Sequence, residues 1–387
     1  MELNLKGIGE KDGQALKNMS KEREKVIHNS STTPINVKFA ANEVADALHP
    51  TVQHVKVVDI IEEGQDTKTF VLVPNVDVGT KKLAYFRPGQ YISIRVEIED
   101  GIYNRPYTIS CSPKNANDNI YTITIKRRPR GIVSNYFLDE VKMDDKFAIS
   151  APTGNFYYEP IRDAKNVIAI AGGSGITPFI SMAEAIVDGI LDFKMTILYG
   201  ARSENDFLFK KRLDELAKKS NLLQVKYILS EEVNPNYETG FITKEMIEKY
   251  MVNENSFFVC GPTPLYEAMN EILKEFSIPN KYIRHDALFG RVDLRGNDLY
   301  NLTVLTKGEE IHIPCRARET ILYAMEKGGI ETTSRCHVGE CGFCRSKLIS
   351  GKVKIFDDDI CAADSEFAYI HPCAAFPESD VVIELPF

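Results

Sequence analysis

The sequence predicts a multidomain protein with three folded parts: a small antiparallel β-barrel, a doubly wound α/β unit and an α+β domain. Three observations predict it. Short runs of β-branched and aromatic residues follow one another between residues 52 and 150. From Asn166 the pattern changes to apolar runs alternating with helical periodicity. After a polar stretch with two glycines, a hairpin pattern, a helix and a crowd of cysteines close the chain. At roughly 150 residues per domain, 387 residues supply two or three cores.

Taken in order, residues 1–50 are polar and poor in large side chains, and read as an extension or a docking arm, with a short amphipathic helix over Asn42–Leu48 stopped at Pro50. Residues 51–155 hold the barrel runs VKVVDII, TKTFVLV, QYISIRVEI, RPYTISC, IYTITIK and KFAIS. Turn chemistry at Glu63–Gly64, Pro88–Gly89 and Asp100–Gly101 separates them. Residues 160–289 hold the parallel-strand runs NVIAIAG, FKMTILYG, LQVKYILS and NSFFVCG. Between and after them lie the helix patterns ITPFISMAEAIVDG, DFLFKKRLDELAKK, TKEMIEKYM and PLYEAMNEILKEF. GRVDLRGN, residues 290–297, is a linker. Residues 298–387 form the last domain, with the hairpin LYNLTVLTKGEEIHIP, the helix ETILYAMEKGG and the closing strand DVVIELPF.

Composition narrows the function. Hydrophobic residues at 43% and charged residues at 26% exclude a collagen-like, mucin-like or wholly disordered chain. No apolar run approaches the roughly 20 residues that cross a bilayer, and the first 25 residues lack the apolar core of a signal peptide. A cytoplasmic protein without a membrane span is expected. A net charge of −8 with no long basic block argues against nucleic acid and anionic membranes as main partners. From Asp298 onward there are 15 acidic and 9 basic residues, against 40 and 38 in the rest. The last domain therefore carries most of the charge imbalance, either for solubility or as a docking face for a basic partner.

The cysteines are the sharpest signal. Cys336, Cys341, Cys344 and Cys373 read C-x4-C-x2-C-x28-C, and C-x4-C-x2-C…C is the spacing of plant-type [2Fe–2S] sites. Two irons need four thiolates close together, so the loop must curl tightly, and Gly339 and Gly342 permit it. Structural zinc sites more often present two spaced pairs, whereas here the fourth cysteine stands alone. Cys361 fits no ligand position and reads as a free thiol.

Weaker motifs precede it. In RPYTIS, Arg105 and Tyr107 share a strand face. An arginine there suits a pyrophosphate, a phenol ring suits a flat heterocycle, and Thr108 offers a hydroxyl to a ring nitrogen. In RGIVSNYF, Gly131 frees the backbone where a helix opens, and the amides up to Ser134 suit a phosphate; a Ser-capped helix explains the motif equally well. AGGSGITP follows the first α/β strand, with Gly172, Gly173 and Gly175 allowing close approach of a phosphate-bearing ligand, Thr177 as N-cap and Pro178 at N1. VCGPTP places Cys260 at the carboxyl end of a later strand, where such sheets bind ligands, though a buried strand-end cysteine is also common. After the second α/β strand, YGARSEND offers Arg202 to a 2′-phosphate, while Lys210, Lys211 and Arg212 lie farther along a helix; a solvated face, the commoner case, explains these bases equally.

Together and in this order, over roughly residues 52–387, these motifs resemble the ferredoxin–NADP reductase superfamily. More narrowly, the chain is similar to the reductase components of oxygenases and hydroxylases, and to hybrid-cluster-protein reductase, which carry a C-terminal plant-type ferredoxin domain of β-grasp type. The resemblance implies that Arg105, Pro106, Tyr107 and Thr108 hold the flavin, and that Gly131, Ile132, Val133 and Ser134 hold its diphosphate, favouring FAD over FMN. It implies that Gly172, Gly173, Gly175, Thr177, Cys260, Gly261 and Pro262 cradle NAD(P)H; Arg202 is added to this set by the residue reading above, and NADH is the expected nucleotide. It places Thr108, Cys260 and Phe289 at the reacting rings, with Phe289 against the flavin, and it makes Cys336, Cys341, Cys344 and Cys373 the cluster ligands. One departure stands out: relatives often read E-x-F where this chain has Ala287-Leu288-Phe289, so the acidic group is absent or supplied by Asp286.

The implied function is an NAD(P)H oxidoreductase that passes electrons from FAD through the cluster to a downstream redox protein or oxygenase component. The alternative is an electron-wiring subunit with no turnover of its own, which the 28-residue gap to Cys373 opposes. A binding protein with a zinc-stapled tail is the remaining reading.

Overall fold

The computed structural model describes residues 10–30, 39–64, 66–286, 298–355, 364 and 366–386. Phe289, the 290–297 linker and Cys361 lie outside them.

Residues up to Asp46 form one unit and Ala47–Phe387 a second. The first contains α1 (Glu10–His28) and most of α2 (Ala40–Leu48), whose last turn ends two residues before Pro50. α2 covers the predicted helix over Asn42–Leu48 and starts two residues earlier, and α1 adds a longer helix before it.

The second unit opens with the barrel. Its strands are β1 (Val52–Gly64), β2 (Thr67–Pro74), β3 (Tyr91–Ile98), β4 (Gly101–Thr108), β5 (Tyr121–Lys126) and β6 (Lys146–Ser150). They pair antiparallel in the order β4-β3-β6-β1-β2-β5. The Ile109–Ile123 bridge and the Ser110 N–H to Thr122 C=O bond (2.8 Å) bring the two edges together. Pro106 sits on the β4 edge, where its missing N–H costs least. Alternation sends Val55, Val57, Phe70, Leu72, Ile92, Ile94, Ile123 and Ile125 inward. Two helices interrupt the barrel, α3 (Pro113–Asn117) and α4 (Ile132–Asp139). Phe137 of α4 plugs the interior against Phe70 (5.2 Å, edge-on) and Phe147 (5.1 Å, stacked).

The α/β sheet comprises β7 (Asn166–Gly172), β8 (Lys194–Ala201), β9 (Leu223–Leu229), β10 (Glu238–Thr239), β11 (Ser256–Cys260) and β12 (Ile283–His285). All pairs are parallel and the order is β10-β9-β8-β7-β11-β12. Its helices are α5 (Thr177–Val187), α6 (Lys210–Lys219), α7 (Lys244–Glu248) and α8 (Thr263–Glu275). The central strand β7 is buried from Asn166 to Ala171, as its unbroken apolar run demands. α6 starts later than DFLFKKRL suggests. Ser203–Asp206 closes a capping box on a short 3₁₀ turn, and Phe207, Leu208 and Phe209 turn into the core before the helix begins. The barrel is tied to this sheet through α5: Ser181 donates to the Cys111 carbonyl (2.6 Å), and Glu184 accepts the Ser112 amide (2.9 Å).

The last domain holds β13 (Leu299–Thr306), β14 (Glu309–Arg316), α9 (Ile321–Lys327), β15 (Ser346–Ser350), β16 (Val353–Ile355), β17 (Tyr369–Ile370), β18 (Ala375–Pro377) and β19 (Val381–Glu384). The β13–β14 hairpin turns at Lys307–Gly308, both with positive φ, as a primed two-residue turn requires. The sheet order is β14-β13-β19-β15-β17, with β13 and β19 parallel. Thr320 caps α9 by accepting the Tyr323 amide (3.2 Å).

Candidate functional site

Strand order places the first part of the site. Next to β7, the chain runs outward to β8 on one side and returns as β11 on the other, and at such a switch point the loops leaving the two strands part to form a crevice. The loops there are Gly172–Ile176 and Gly261–Pro262. They meet backbone to backbone: a Cβ on Gly175 would lie 2.1 Å from the Cys260 carbonyl oxygen and 2.8 Å from the Gly261 Cα. Tyr199 on β8 supports the glycine loop, donating to the Gly173 carbonyl and accepting the Leu208 amide, both at 3.0 Å. Thr177 is not the N-cap. A 3₁₀ turn over Gly173–Ile176 precedes α5, Thr177 is the first helical residue, and its hydroxyl donates back to the Ser174 carbonyl (3.1 Å).

Cys260 ends β11, fully buried. Its thiol donates to Asp286 Oδ2 (3.7 Å), and the Tyr266 hydroxyl donates to the Asp286 carbonyl while accepting the Gly261 amide (3.2 Å). Burial, aided by the Asp286 carboxylate, pushes the Cys260 thiol well above its ordinary value. Burial pushes Asp286 up to about 7.

Arg202 pairs with Glu231 at 3.6 Å on the surface. Glu204 accepts the Tyr237 hydroxyl (2.6 Å) and Asn234 Nδ2 (3.1 Å), Asp206 accepts the Ser203 amide (3.1 Å), and Glu232 accepts the Glu204 amide (2.8 Å). In the basic run beyond, Lys210 bonds Asp214 (3.0 Å) and Arg212 pairs with Glu184.

On the barrel, Tyr107 is half-buried with its ring 6.0 Å from Phe137, so the end of β4 and helix α4 share a corner. Thr108 is buried beside it. Gly131 is the α4 N-cap with an ordinary φ of −78°, so backbone freedom is not what it supplies. The residue with positive φ is Arg130 (63°). Gly131 is needed for space, because a Cβ there would lie 2.5 Å from Ser134 Oγ and 2.9 Å from Arg128 Cβ. The Ser134 hydroxyl accepts the Arg128 amide (3.2 Å) and donates to the Gly131 carbonyl (3.4 Å), closing the loop onto the helix. The first amides of α4, including Ile132 and Val133, have no partner within the helix and suit an anion.

Arg105 Nη1 donates to Glu326 Oε2 (2.7 Å) on α9 of the cysteine domain and to the Asn104 carbonyl (2.6 Å). Sequence reasoning missed Glu326, because a glutamate near the end of ILYAMEK looks like a solvent-facing residue. It is fully buried.

The cysteine loop folds as its spacing requires. Gly339 and Gly342 have φ of 85° and 75°. Cys344 and Cys373 bring their sulfurs to 3.3 Å. Cys336 Sγ accepts the Val338 and Cys341 amides (both 3.4 Å), and Cys373 Sγ accepts the Gly339 amide (3.2 Å). The Cys341 and Cys373 thiols, together with these amides, pull the Cys336 thiol far below its ordinary value, the form that ligates metal. Amides aimed at sulfur are the outer shell of an iron–sulfur site. Among the described residues no group of three or more His, Cys, Asp and Glu side chains has the geometry to hold one ion. Four thiols serving two irons divide between two metal atoms, so the donor set fits a two-iron cluster.

The folded parts meet in pairs around the barrel: Glu326 of the cysteine domain accepts Arg105 (2.7 Å), Arg335 donates to Thr153 (3.4 Å), and Ser181 on α5 donates to the Cys111 carbonyl (2.6 Å).

Comparison with known proteins accords with this geometry. The oxidoreductase FAD-binding domain model matches residues 54–158, the oxidoreductase NAD-binding domain model residues 169–271, and the 2Fe-2S iron-sulfur cluster binding domain model residues 304–378. The glycine betaine monooxygenase reductase subunit of Chromohalobacter salexigens is 27% identical over 359 residues, covering 86% of this chain and 95% of that protein. The ferredoxin reductase component of 3-ketosteroid-9-alpha-monooxygenase from Mycobacterium tuberculosis is 26% identical, covering 87% and 96%. The solved structure of phthalate dioxygenase reductase superposes with a TM-score of 0.65 at 23% identity, covering 86% of this chain and 98% of that one, and shares its fold. The fold and site define a flavin- and iron–sulfur-dependent oxidoreductase. The chain carries an oxidoreductase FAD-binding domain, an oxidoreductase NAD-binding domain and a 2Fe-2S iron-sulfur cluster binding domain, in that order. It is an electron-transfer reductase that takes electrons from NAD(P)H through FAD to the cluster. Among the described residues no helix is long and apolar enough to cross a membrane.

Proposed function

We propose that this reductase works in the cytoplasm, draws on NADH, and delivers single electrons to an oxygenase component, as the names of its monooxygenase relatives suggest. The observation that carries the reading is that the barrel is tied to both other parts, to the α/β sheet through Ser181 and Glu184 and to the cysteine domain through Glu326. FAD supplies the exchange between paired and single electrons, and the cluster carries them singly. The protein supplies position and polarity. The FAD-binding segment is residues 51–155, the NAD(P)H-binding segment 160–289 and the cluster domain 298–387.

In this reading Tyr107 covers the flavin ring and Thr108 offers its hydroxyl to a ring nitrogen. Of the five N–H donors of a guanidinium, those of Arg105 Nε and Nη2 serve the flavin phosphate, since Nη1 is bound to Glu326 and Asn104. The amides from Gly131 to Ser134 hold the diphosphate. Gly172, Gly173, Gly175, Thr177, Gly261 and Pro262 form the walls for the nicotinamide nucleotide. Cys260 presents a neutral thiol to the nicotinamide, and Asp286 behind it takes the place of the acidic group that relatives carry two residues before the aromatic.

NADH is favoured by the loop after β8. A 2′-phosphate beside Arg202 meets the Glu231 carboxylate already paired there, and the two like charges repel. The test is the kcat/KM ratio for NADH over NADPH with ferricyanide as acceptor. At least about tenfold is expected, equivalent to about 1.4 kcal/mol; a ratio near one or below refutes the assignment. Reconstitution with candidate oxygenase components, read as NADH-driven substrate oxidation, tests the partner.

A further inference from the structure

The segment from α9 to the first cluster cysteine is fastened to the flavin barrel along its length. Glu326 is buried, accepting Arg105 Nη1 at 2.7 Å and the Asn104 backbone amide at 3.0 Å. Gly329 approaches so closely that a Cβ there would lie 2.8 Å from the Asp100 carbonyl oxygen. Glu331 pairs with Arg95. The Thr332 carbonyl accepts Asn104 Nδ2 (3.4 Å), and Arg335 Nη1 donates to Thr153 Oγ1 (3.4 Å). Cys336 follows immediately.

A carboxylate buried in one domain and neutralised from another makes separation costly, because parting the domains strips Glu326 of the guanidinium that compensates its charge. We propose that Glu326 is an interdomain positioning residue: through Arg105 and Asn104 it latches the cluster domain onto the flavin barrel, holding the Cys336 loop at a fixed distance from the flavin so that the electron crosses without a domain swing. This rests on the reading of the barrel as the flavin site. It assigns Arg105 two tasks, since the strand expected to hold the flavin is also the one that the latch grips.

The test is anaerobic stopped-flow reduction of the FAD- and cluster-loaded protein by NADH, comparing the natural chain with Glu326→Gln. The amide keeps an acceptor for the Asn104 N–H and removes the charge that pairs Arg105. Flavin bleaching and ferricyanide reduction are expected to stay within about twofold. Cluster reduction is expected to slow by at least about tenfold, the scale on which misplacement acts on rates, and to become sensitive to added glycerol while the cluster absorbance is retained. An unchanged cluster-reduction rate overturns the proposal. So does an equal loss of ferricyanide reduction, which assigns Glu326 to the flavin site alone. If Glu326→Gln does not retain the cluster, Glu331→Gln, on the exposed part of the same seam, is expected to slow cluster reduction about twofold, in keeping with a surface pair; no slowing there also overturns it. Failure of the natural chain to reduce ferricyanide with NADH counts instead against the functional reading.

Discussion

Replacing Asp286 with Asn should raise stability and flatten its dependence on pH. Asp286 is buried, faces the Cys260 thiol, has the Tyr266 hydroxyl on its own carbonyl, and feels Glu340 from the cluster loop. Burial lifts its carboxyl from an ordinary 3.8 to about 7. At roughly 1.4 kcal/mol per pKa unit, ionising it in the folded chain costs about 4 kcal/mol more than in the unfolded chain. Below pH about 4 both states carry the proton and the cost is absent. As pH rises from about 4 to about 7 the unfolded chain has already released its proton while the folded chain holds on, so stability falls; above that the full cost applies. Between pH 5 and 8 the loss is about 2.5 kcal/mol. At roughly 2–4 °C per kcal/mol for domains of this size, that is about 5–10 °C in the midpoint of thermal unfolding. The assay is far-UV circular dichroism of the FAD- and cluster-loaded protein and Asp286→Asn at pH 5, 6, 7 and 8. The variant should melt higher at every pH, with the gap widening toward pH 8. Parallel melting curves across that range would refute the burial argument.

Gly175→Ala should raise KM for NADH by at least about tenfold, because its methyl group meets the Cys260 carbonyl at 2.1 Å and must force the two crevice loops apart; bound flavin, measured by absorbance, should be unchanged. Cys341→Ser should abolish cytochrome c reduction yet largely spare ferricyanide reduction by the flavin, and equal loss of both would count against a serial path. Tyr199→Phe removes the hydroxyl joining Gly173 to Leu208. It should weaken NADH binding about threefold to tenfold, in line with a net cost of about 1 kcal/mol for the two lost hydrogen bonds, read by titrating the charge-transfer absorbance.

Much of this molecule is written in local chemistry. The barrel strands form where alternating β-branched residues lie between turn residues, because a half-buried sheet needs that period. The unbroken apolar run of β7 announces a strand covered on both faces. The C-x4-C-x2-C spacing with Gly339 and Gly342 announces its loop, because only positive φ lets so short a segment curl its sulfurs inward. Errors came where a local signal had two physical solutions. Thr177-Pro178 looks like a cap followed by a first turn, but the glycine loop winds into 3₁₀ and carries the helix start past the threonine. Gly131 looks like a flexible hinge, but it is small because Ser134 and Arg128 crowd it.

By itself the sequence determined the order of the domains, the tight curl of the cysteine loop and the glycine loops at the crevice. Each depends on neighbours a few residues apart, where spacing and backbone freedom dictate geometry. Only the tertiary structure decided what Glu326, Asp286 and Arg202 meet. Glu326 meets Arg105 across 221 positions of chain, Asp286 meets Cys260 across 26, and Arg202 meets Glu231 from another loop. The character of a charged side chain is set by what is packed against it, and packing between distant segments leaves no local trace in the chain.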